Sequence, residues 1–151
     1  MVAIQGRIAR HMNRQKLQLT FVNSADEAPR VAKKVERFLN ERYVNDSLTN
    51  KLLLCVDELV TNIIGHAYND KQEHAVSLEC TVNEEHIILE LRDDGVPFDP
   101  TKQTRANTKQ KLEERSIGGL GIHLVMNLMD HVEYIREGDF NVLKATKSIQ
   151  Q

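Results

Sequence analysis

The stretch LLLCVDELVTNIIGHAY, residues 52–68, constrains the fold more than any other part of the chain. Its apolar residues recur with a period of about 3.6 and form a broad stripe, which predicts a long helix packed against a core. The same helix carries the polar side chains Asp57, Glu58 and Asn62. Any fold for this chain must therefore bury the helix and still give these polar side chains a suitable environment.

The other elements follow from hydrophobic patterns, because alternation predicts strands and a helical period predicts helices. In chain order we expect a strand in KLQLTFVNS, a helix with Ser24 as its N-cap over ADEAPRVAKKVERFLNERY, the long helix from Asp46 or Ser47 to about Tyr68, a hairpin of AVSLECTV and HIILELRDD, a helix in GGLGIHLVMNLMDHV, and a closing hairpin that turns near Gly138 and Asp139. This order predicts an α+β fold, a two-layer sandwich with helices packed on one face of a mostly antiparallel mixed sheet.

Length and composition suit a single domain. The chain has 151 residues, 40% of them hydrophobic, and domain sizes cluster near about 100–150 residues. We expect residues 1–16 to be a flexible N-terminal lead-in and residues 17–148 to form one domain. Residues 101–116 carry one large aliphatic side chain, Leu112, among many charged and amide side chains, so we expect a mobile surface segment there.

Charge and cysteine content exclude several classes of protein. The 20 basic and 22 acidic residues give a formal net charge of −2, which provides no basis for direct nucleic-acid or membrane binding through bulk charge. Cys55 and Cys80 lie in apolar segments, where a free thiol behaves as a small hydrophobic group, so we expect no disulfide. We find no signal sequence and no apolar run near the roughly 20 residues of a membrane span, and expect a soluble cytoplasmic protein.

The polar face of the long helix is organised. Glu58, Asn62 and Gly65 project to one side of it, and Glu58 and Asn62 are neighbours at positions i and i+4. The face is either an ordinary solvated surface or the wall of a ligand pocket, in which Asn62 ligates a hard cation and Glu58 orients water or a hydroxyl. Asp57 projects about 100° away from Glu58 and is assigned to the helix surface or to a supporting role.

Two further stretches favour the pocket. LRDDGVPFDP places Asp93 and a second aspartate before Gly95 at a strand end, where a carboxylate is able to meet the exocyclic amine of a ligand and the glycine lets backbone come close. A plain Asp-Gly turn is the alternative. SIGGLGIHLV places Gly118, Gly119 and Gly121 just before a helix, where free backbone amides and the positive end of the helix dipole bind phosphate. Four of the seven glycines fall in these two stretches.

Together these motifs resemble the ATPase superfamily shared by gyrase, the heat-shock chaperones, sensor histidine kinases and the mismatch-repair ATPases. Within it the chain is most similar to the anti-sigma-factor serine kinases of bacteria, over residues 17–147, including DELVTNIIGHAY, RDDGVPFDP, LEERSIGGLGIHLVMNLMD and FNVLKATK. The motifs that resemble those of the superfamily are Glu58-x-x-x-Asn62 for the N-box, Asp93-Asp94-Gly95 for the adenine-binding box, and Gly119-Leu120-Gly121 for the glycine pair that closes on the phosphates.

The resemblance implies a Bergerat ATP-binding fold with ATP and Mg²⁺ as cofactors. Asp93 would accept a hydrogen bond from the adenine amino group, Asn62 would ligate Mg²⁺ and Glu58 would be the general base. The other implied contacts are at the pocket floor and the base of a lid formed by residues 101–116: Gly95, Gly118, Gly119, Leu120 and Gly121. Two further assignments have alternatives: the lid cations Lys109, Lys111 and Arg115 either lie near the γ-phosphate or are ordinary solvated charge, and His66 either supports the pocket or simply packs beside it.

The resemblance also implies an enzyme that phosphorylates a serine or threonine of an anti-anti-sigma-type partner, with a sigma factor as a further candidate partner and a homodimer as the expected assembly. Two alternatives stay open. The first is an ATP-dependent anti-sigma binding module with little or no kinase activity, although such a module has no need of Glu58. The second is a stand-alone histidine-kinase-like catalytic domain. The six histidines are dispersed without paired ligand spacing, so we expect no structural zinc.

Overall fold

The computed structural model describes residues 14–102 and 119–150, except for the side chains of residues 119 and 120. Most of the expected lead-in, residues 1–13, and most of the expected lid, residues 103–116, lie outside the described residues. A short 3₁₀ turn, Pro100–Lys102, follows the third strand. The main elements of the described ranges are β1 Gln15–Val22, α1 Glu27–Asn40, α2 Asp46–His66, β2 Ala75–Val82, β3 His86–Asp93, α3 Gly119–Leu128, β4 His131–Glu137 and β5 Phe140–Ser148.

The strands form one sheet in the order β1-β2-β3-β5-β4, and every pairing in the described ranges is antiparallel. The predicted α+β architecture is confirmed, but the expected mixed sheet has no parallel pair among these strands. The reason is that the β4–β5 hairpin returns β5 alongside β3 in the opposite direction. In this pairing Asp93 lies opposite Asn141 and Leu91 lies opposite Leu143.

The core lies between one face of the sheet and the helices. Ile87, Leu89 and Leu91 alternate along β3 and are almost completely buried, as are Leu52 and Val56 of α2. Burying an aliphatic side chain of this size contributes about 1.5–3 kcal/mol to stability. None of the helices in the described part of the chain has the length and apolar character needed to cross a membrane.

Both cysteines belong to this core. Cys55 and Cys80 are free and buried. Burial raises the pKa of the Cys55 thiol to about 11 and the pKa of the Cys80 thiol to about 12. Both thiols therefore stay protonated at neutral pH and pack as small apolar groups, as predicted.

The caps of the first two helices differ from expectation. The cap position of α1 is Asp26, without a side-chain cap hydrogen bond. Ser24 instead accepts a hydrogen bond from the Glu27 amide through its backbone carbonyl, so the predicted Ser24 cap is wrong and the helix begins later. The cap of α2 is Asn45, whose Oδ1 accepts a hydrogen bond of 2.8 Å from the Leu48 amide. This bond satisfies one of the amides that every helix start leaves without an internal partner.

The C-terminal ends of α2 and α3 also differ from the predicted ends. α2 ends at His66, slightly before the predicted end at Tyr68. α3 ends at Leu128, although its apolar pattern continues beyond that residue. His131 and Val132 instead begin β4, because pairing with β5 satisfies their backbone groups.

Leu52 and Leu54 allow a test of how α2 packs, because Leu52 is fully buried and Leu54 is 50% exposed. We expect Leu52→Ala to lower the free energy of unfolding by about 2–5 kcal/mol through lost burial and a new cavity. Leu54→Ala, on the same helix, should change it by less than about 0.5 kcal/mol. Urea unfolding followed by circular dichroism measures both values. Equal losses would contradict the orientation of α2.

Candidate functional site

A cavity of about 130 Å³ lies between α2, the end of β3 and the β4–β5 hairpin. Pockets for whole ligands are larger, about 300–1,000 Å³, so the described part of this cavity suits a single ring system. A mainly apolar cavity with a few convergent polar groups is the usual form of a small-molecule site. The polar side chains in its wall are Asn62, His66, Asp93, Tyr134 and Asn141, and the apolar ones include Leu59, Ile63, Leu91, Phe98 and Ile122.

Asp93 is the buried acid of this cavity. The last residue of β3, it is only 5% exposed. Its Oδ1 accepts two hydrogen bonds, one of 2.9 Å from the Gly95 amide and one of 3.0 Å from Nδ2 of Asn141. Two donors on one oxygen hold the carboxylate in a fixed orientation and compensate for its removal from water.

Gly95 lets the turn after β3 dock on the end of α2. A Cβ atom at Gly95 would lie 2.5 Å from the carbonyl oxygen of Ala67. That carbonyl accepts a hydrogen bond of 2.8 Å from the Val96 amide, and Nη1 of Arg136 donates to the Gly95 carbonyl at 2.9 Å. The sequence predicted a close approach of backbone at this glycine, and in the structure the approaching group is the backbone at the end of α2.

Glu58 and Asn62 are both half-buried on the same face of α2. Asn62 lines the cavity, whereas Glu58 lies one helical turn earlier and is not part of the described cavity wall. A Cβ atom at Gly121 would overlap the Glu58 carboxylate, so the first turn of α3 packs directly on this acid. Asp57 is exposed, as expected for the helix surface.

The glycine-rich segment is only partly described. Gly119 and Leu120 occupy the first turn of α3, rather than the loop before the helix where the sequence placed the glycines. Gly118, Lys109, Lys111 and Arg115 lie outside the described residues. His66, by contrast, lies at the end of α2 and reaches the cavity wall. The structure therefore brings Asn62, His66 and Asp93 to one cavity and Gly121 to Glu58 beside it.

Sequence reasoning missed Asn141. It is 7% exposed, and its Oδ1 accepts hydrogen bonds from the Tyr134 hydroxyl at 2.5 Å and from the Phe98 amide at 3.4 Å. Its Nδ2 donates to Asp93 and, at 2.9 Å, to the Val96 carbonyl. The available signal was an asparagine within the closing strand, but its importance depends on which residue of β3 it faces.

A polar cluster supports the rim of the cavity. The Tyr68 hydroxyl donates to Asp94 at 3.1 Å, and the Tyr68 ring stacks on His74 with centroids 4.0 Å apart. Burial raises the pKa of Tyr68, and the hydrogen bond to Asp94 raises it further, so the phenol stays neutral. The hydrogen bond between Asp70 and His74 raises the pKa of His74 and lowers the pKa of Asp70. This cluster ties the segment after α2 to the turn that carries Asp93.

Comparison with known proteins agrees with this geometry. Residues 21–147 match the family model described as a histidine kinase-like ATPase domain. The chain belongs to this family. The fold of this ATPase domain is also similar to that in the crystal structure of the SiaB–SiaC complex from Pseudomonas aeruginosa, with a TM-score of 0.61, 15% identity and 96% of each chain covered. The family predicted from the motifs is thus confirmed.

Two curated relatives are similar to the ATPase domain in sequence. The serine/threonine-protein kinase BtrW of Bordetella bronchiseptica is 30% identical over 95 residues, which cover 63% of this chain and 67% of that protein. The anti-sigma F factor of Oceanobacillus iheyensis is 28% identical over 123 residues, which cover 82% of this chain and 83% of that protein. Both relatives carry names of the kind that the motif resemblance led us to expect.

Gly95 and Gly65 form a matched pair for testing the site. We expect Gly95→Ala to lower the free energy of unfolding by about 1–3 kcal/mol, because overpacking against the rigid Ala67 backbone forces the turn and α2 apart. Gly65→Ala should raise it by about 0.5–1 kcal/mol, because no atom lies within 4 Å of the new methyl group and alanine favours a helix. Thermal unfolding measures both, and a neutral Gly95→Ala would contradict the docking of the turn.

Proposed function

We propose that this protein is an ATP-dependent serine/threonine protein kinase that phosphorylates a small anti-anti-sigma-type regulatory protein. The observation that carries the proposal is the convergence of a buried acid, Asp93, and a helical amide, Asn62, on one largely apolar cavity. Membership of the ATPase family and the names of the two curated relatives support the same conclusion.

The cavity suits the adenine ring. Both described hydrogen bonds to Asp93 end on Oδ1, so we assign Oδ2 to the exocyclic amine of the base. Apolar side chains such as Leu91 and Ile122 would cover the ring faces. A hydrogen bond between a charged group and a buried partner contributes about 1.5–3 kcal/mol, enough to distinguish adenine from a base without the amine.

The residues present also fit Mg²⁺. The Asn62 carboxamide offers a hard oxygen at the cavity wall, and Mg²⁺ commonly binds through one or two protein ligands together with phosphates and water. In the described part of the chain no three acidic, histidine or cysteine side chains form a metal-binding group, so nucleotide phosphates and water would supply the other ligands. When bound, the ion would neutralise charge on the phosphates during transfer.

Glu58 is placed to act as the base. It is half-buried on α2, one turn from Asn62, and its carboxylate contacts the first turn of α3. In the proposed step the serine or threonine oxygen bonds to the γ-phosphorus while the bond to the β–γ bridging oxygen breaks, and the hydroxyl proton passes to Glu58. ADP is the leaving group. Positioning and neutralisation of charge provide most of the acceleration in such reactions.

A sigma factor is a further proposed partner, supported by the name of the anti-sigma F factor relative. A cytoplasmic location and a homodimer complete the proposal. The name of the same relative also supports a second candidate function, a module that binds a sigma factor in the presence of ATP and transfers phosphate slowly or never. Glu58 favours the kinase, because a binding module requires no base.

Asp93→Asn should weaken ATP binding at least about tenfold, because the new amide points a donor at the amine of the base and the charged hydrogen bond is lost. Calorimetric titration with ATP, with and without Mg²⁺, measures the affinity. Asp139→Asn is the control: this side chain is exposed in the turn between β4 and β5, and the variant should leave affinity within about threefold of wild type. No binding of ATP by the wild-type protein at millimolar concentration would remove the kinase proposal altogether.

Glu58→Gln keeps the shape of the side chain that contacts Gly121 but removes the base. We expect nucleotide affinity to stay within about threefold of wild type and phosphate transfer to a candidate partner to fall by about 10²-fold or more. Asp57→Asn, on the exposed neighbour, should leave transfer unchanged. Unaltered transfer in Glu58→Gln would exclude Glu58 as the base. Binding of ATP and partner without transfer in the wild type would favour the binding module.

A further inference from the structure

The hydrogen-bonding groups of the Asn141 side chain are all engaged. Nδ2 donates to Oδ1 of Asp93 at 3.0 Å and to the Val96 carbonyl at 2.9 Å. Oδ1 accepts from the Tyr134 hydroxyl at 2.5 Å and from the Phe98 amide at 3.4 Å. An asparagine amide has two donor hydrogens and one acceptor oxygen with two lone pairs, so this environment uses its full capacity.

These partners also fix which way the amide faces. With the oxygen and nitrogen exchanged, the carbonyl oxygen of Asn141 would face the Asp93 carboxylate and the Val96 carbonyl, and its NH₂ group would face the Phe98 amide. Those contacts would place acceptor against acceptor and donor against donor. The network of partners therefore determines which side of the amide carries the oxygen and which carries the nitrogen.

The same contacts hold two parts of the cavity together. Asp93 ends β3, whereas Val96 and Phe98 belong to the segment that follows it and forms part of the cavity wall. Asn141 and Tyr134 come from the β4–β5 hairpin. Because Asn141 is 7% exposed, removing one of these partners leaves a largely buried polar group without a hydrogen bond, which costs free energy.

We propose that Asn141 is a positioning residue for nucleotide binding, which holds Asp93 so that Oδ1 faces the protein and Oδ2 faces the adenine amine. The inference rests on the proposed ATP site and adds a residue to it. Without the Nδ2 donor, Oδ1 of Asp93 keeps only the hydrogen bond from the Gly95 amide, and the Val96 carbonyl loses its hydrogen bond to β5. Both changes would reduce the affinity for the base.

The decisive variant is Asn141→Asp. It keeps the shape of the side chain but replaces the donor to Asp93 with a second carboxyl oxygen about 3 Å away. Two carboxylates this close do not both ionise readily, so the pair retains one proton at a pH where isolated acids have lost theirs. Below the raised pKa of the pair, the shared proton restores a donor between the two side chains. Above it, repulsion displaces Asp93.

We therefore expect Asn141→Asp to bind ADP at least about tenfold more weakly than wild type at pH 8, and to recover most of that loss at pH 5.5. Calorimetry with ADP is the measurement, because it requires no kinase activity. The titratable or charged side chains facing position 141 are Asp93 from β3, Tyr134 and Arg136 from β4, and His66 from α2. Measuring ADP binding by the wild type at both pH values gives the baseline for any pH effect that does not depend on the residue at position 141.

Asn83→Asp is the matched control. Asn83 lies in the turn between β2 and β3, and its Oδ1 accepts hydrogen bonds from the Glu85 and His86 amides. An aspartate there keeps both bonds, so ADP affinity should follow wild type at both pH values. Tyr134→Phe is a milder second variant, since it removes one donor to Asn141 without adding a carboxyl group. We expect a loss of about threefold to tenfold in ADP affinity without recovery in acid.

Recovery in acid that is confined to Asn141→Asp would support the inference. Wild-type affinity of Asn141→Asp at both pH values would overturn it. A loss of equal size at pH 8 and pH 5.5, in a variant whose thermal unfolding shows it to be folded, would also overturn it, because the effect would then follow shape rather than the donor to Asp93. Failure of the wild-type protein itself to bind ADP would overturn the proposed ATP site, and this outcome is distinguishable from the others.

Discussion

The site depends on one contact between backbones, the docking of the turn after β3 on the end of α2. The Val96 amide donates to the Ala67 carbonyl, and Gly95 provides the space that this approach requires. Because Asp93 immediately precedes the turn and Asn62 lies little more than one helical turn before Ala67, the contact fixes their relative position. The geometry of the cavity is therefore set by a strand end and a helix end that meet.

α2 serves both the core and the site, and the two roles use different faces. Leu52 and Val56 are completely buried, whereas Glu58 and Asn62 on another face are half-buried. The apolar stripe provides the burial energy that holds the helix on the sheet. That energy allows the polar face to remain available for a ligand. A helix with only the polar face would bury too little apolar surface to stay packed on the sheet.

The sequence predicted most of this arrangement because periodicity and local motifs carry it. The apolar stripe of α2 predicted the position of the longest helix, and Asp93 and Asn62 were identifiable within motifs of a few residues. Asn141 was not, because its role depends on the pairing of β3 with β5, which joins residues 48 positions apart. The prediction of Ser24 as the N-cap of α1 was also wrong, because the backbone of Ser24 takes part in a turn before the helix instead. A local sequence pattern therefore does not reveal which residues of distant strands pair, nor whether a residue near a helix start caps the helix or forms a turn.

The two ends of the candidate site differ in how they are held. At the proposed adenine end, hydrogen bonds from Asn141 join β5 to Asp93 at the end of β3 and to Val96 in the segment that follows, so the protein itself orients the proposed recognition group. At the proposed phosphate end, the Glu58 carboxylate lies against Gly121 of α3, where there is no room for a side chain. A shift of α3 toward α2 would therefore displace the Glu58 carboxylate. The proposed adenine contact is thus oriented by hydrogen bonds between strands, whereas the proposed catalytic carboxylate lies against α3.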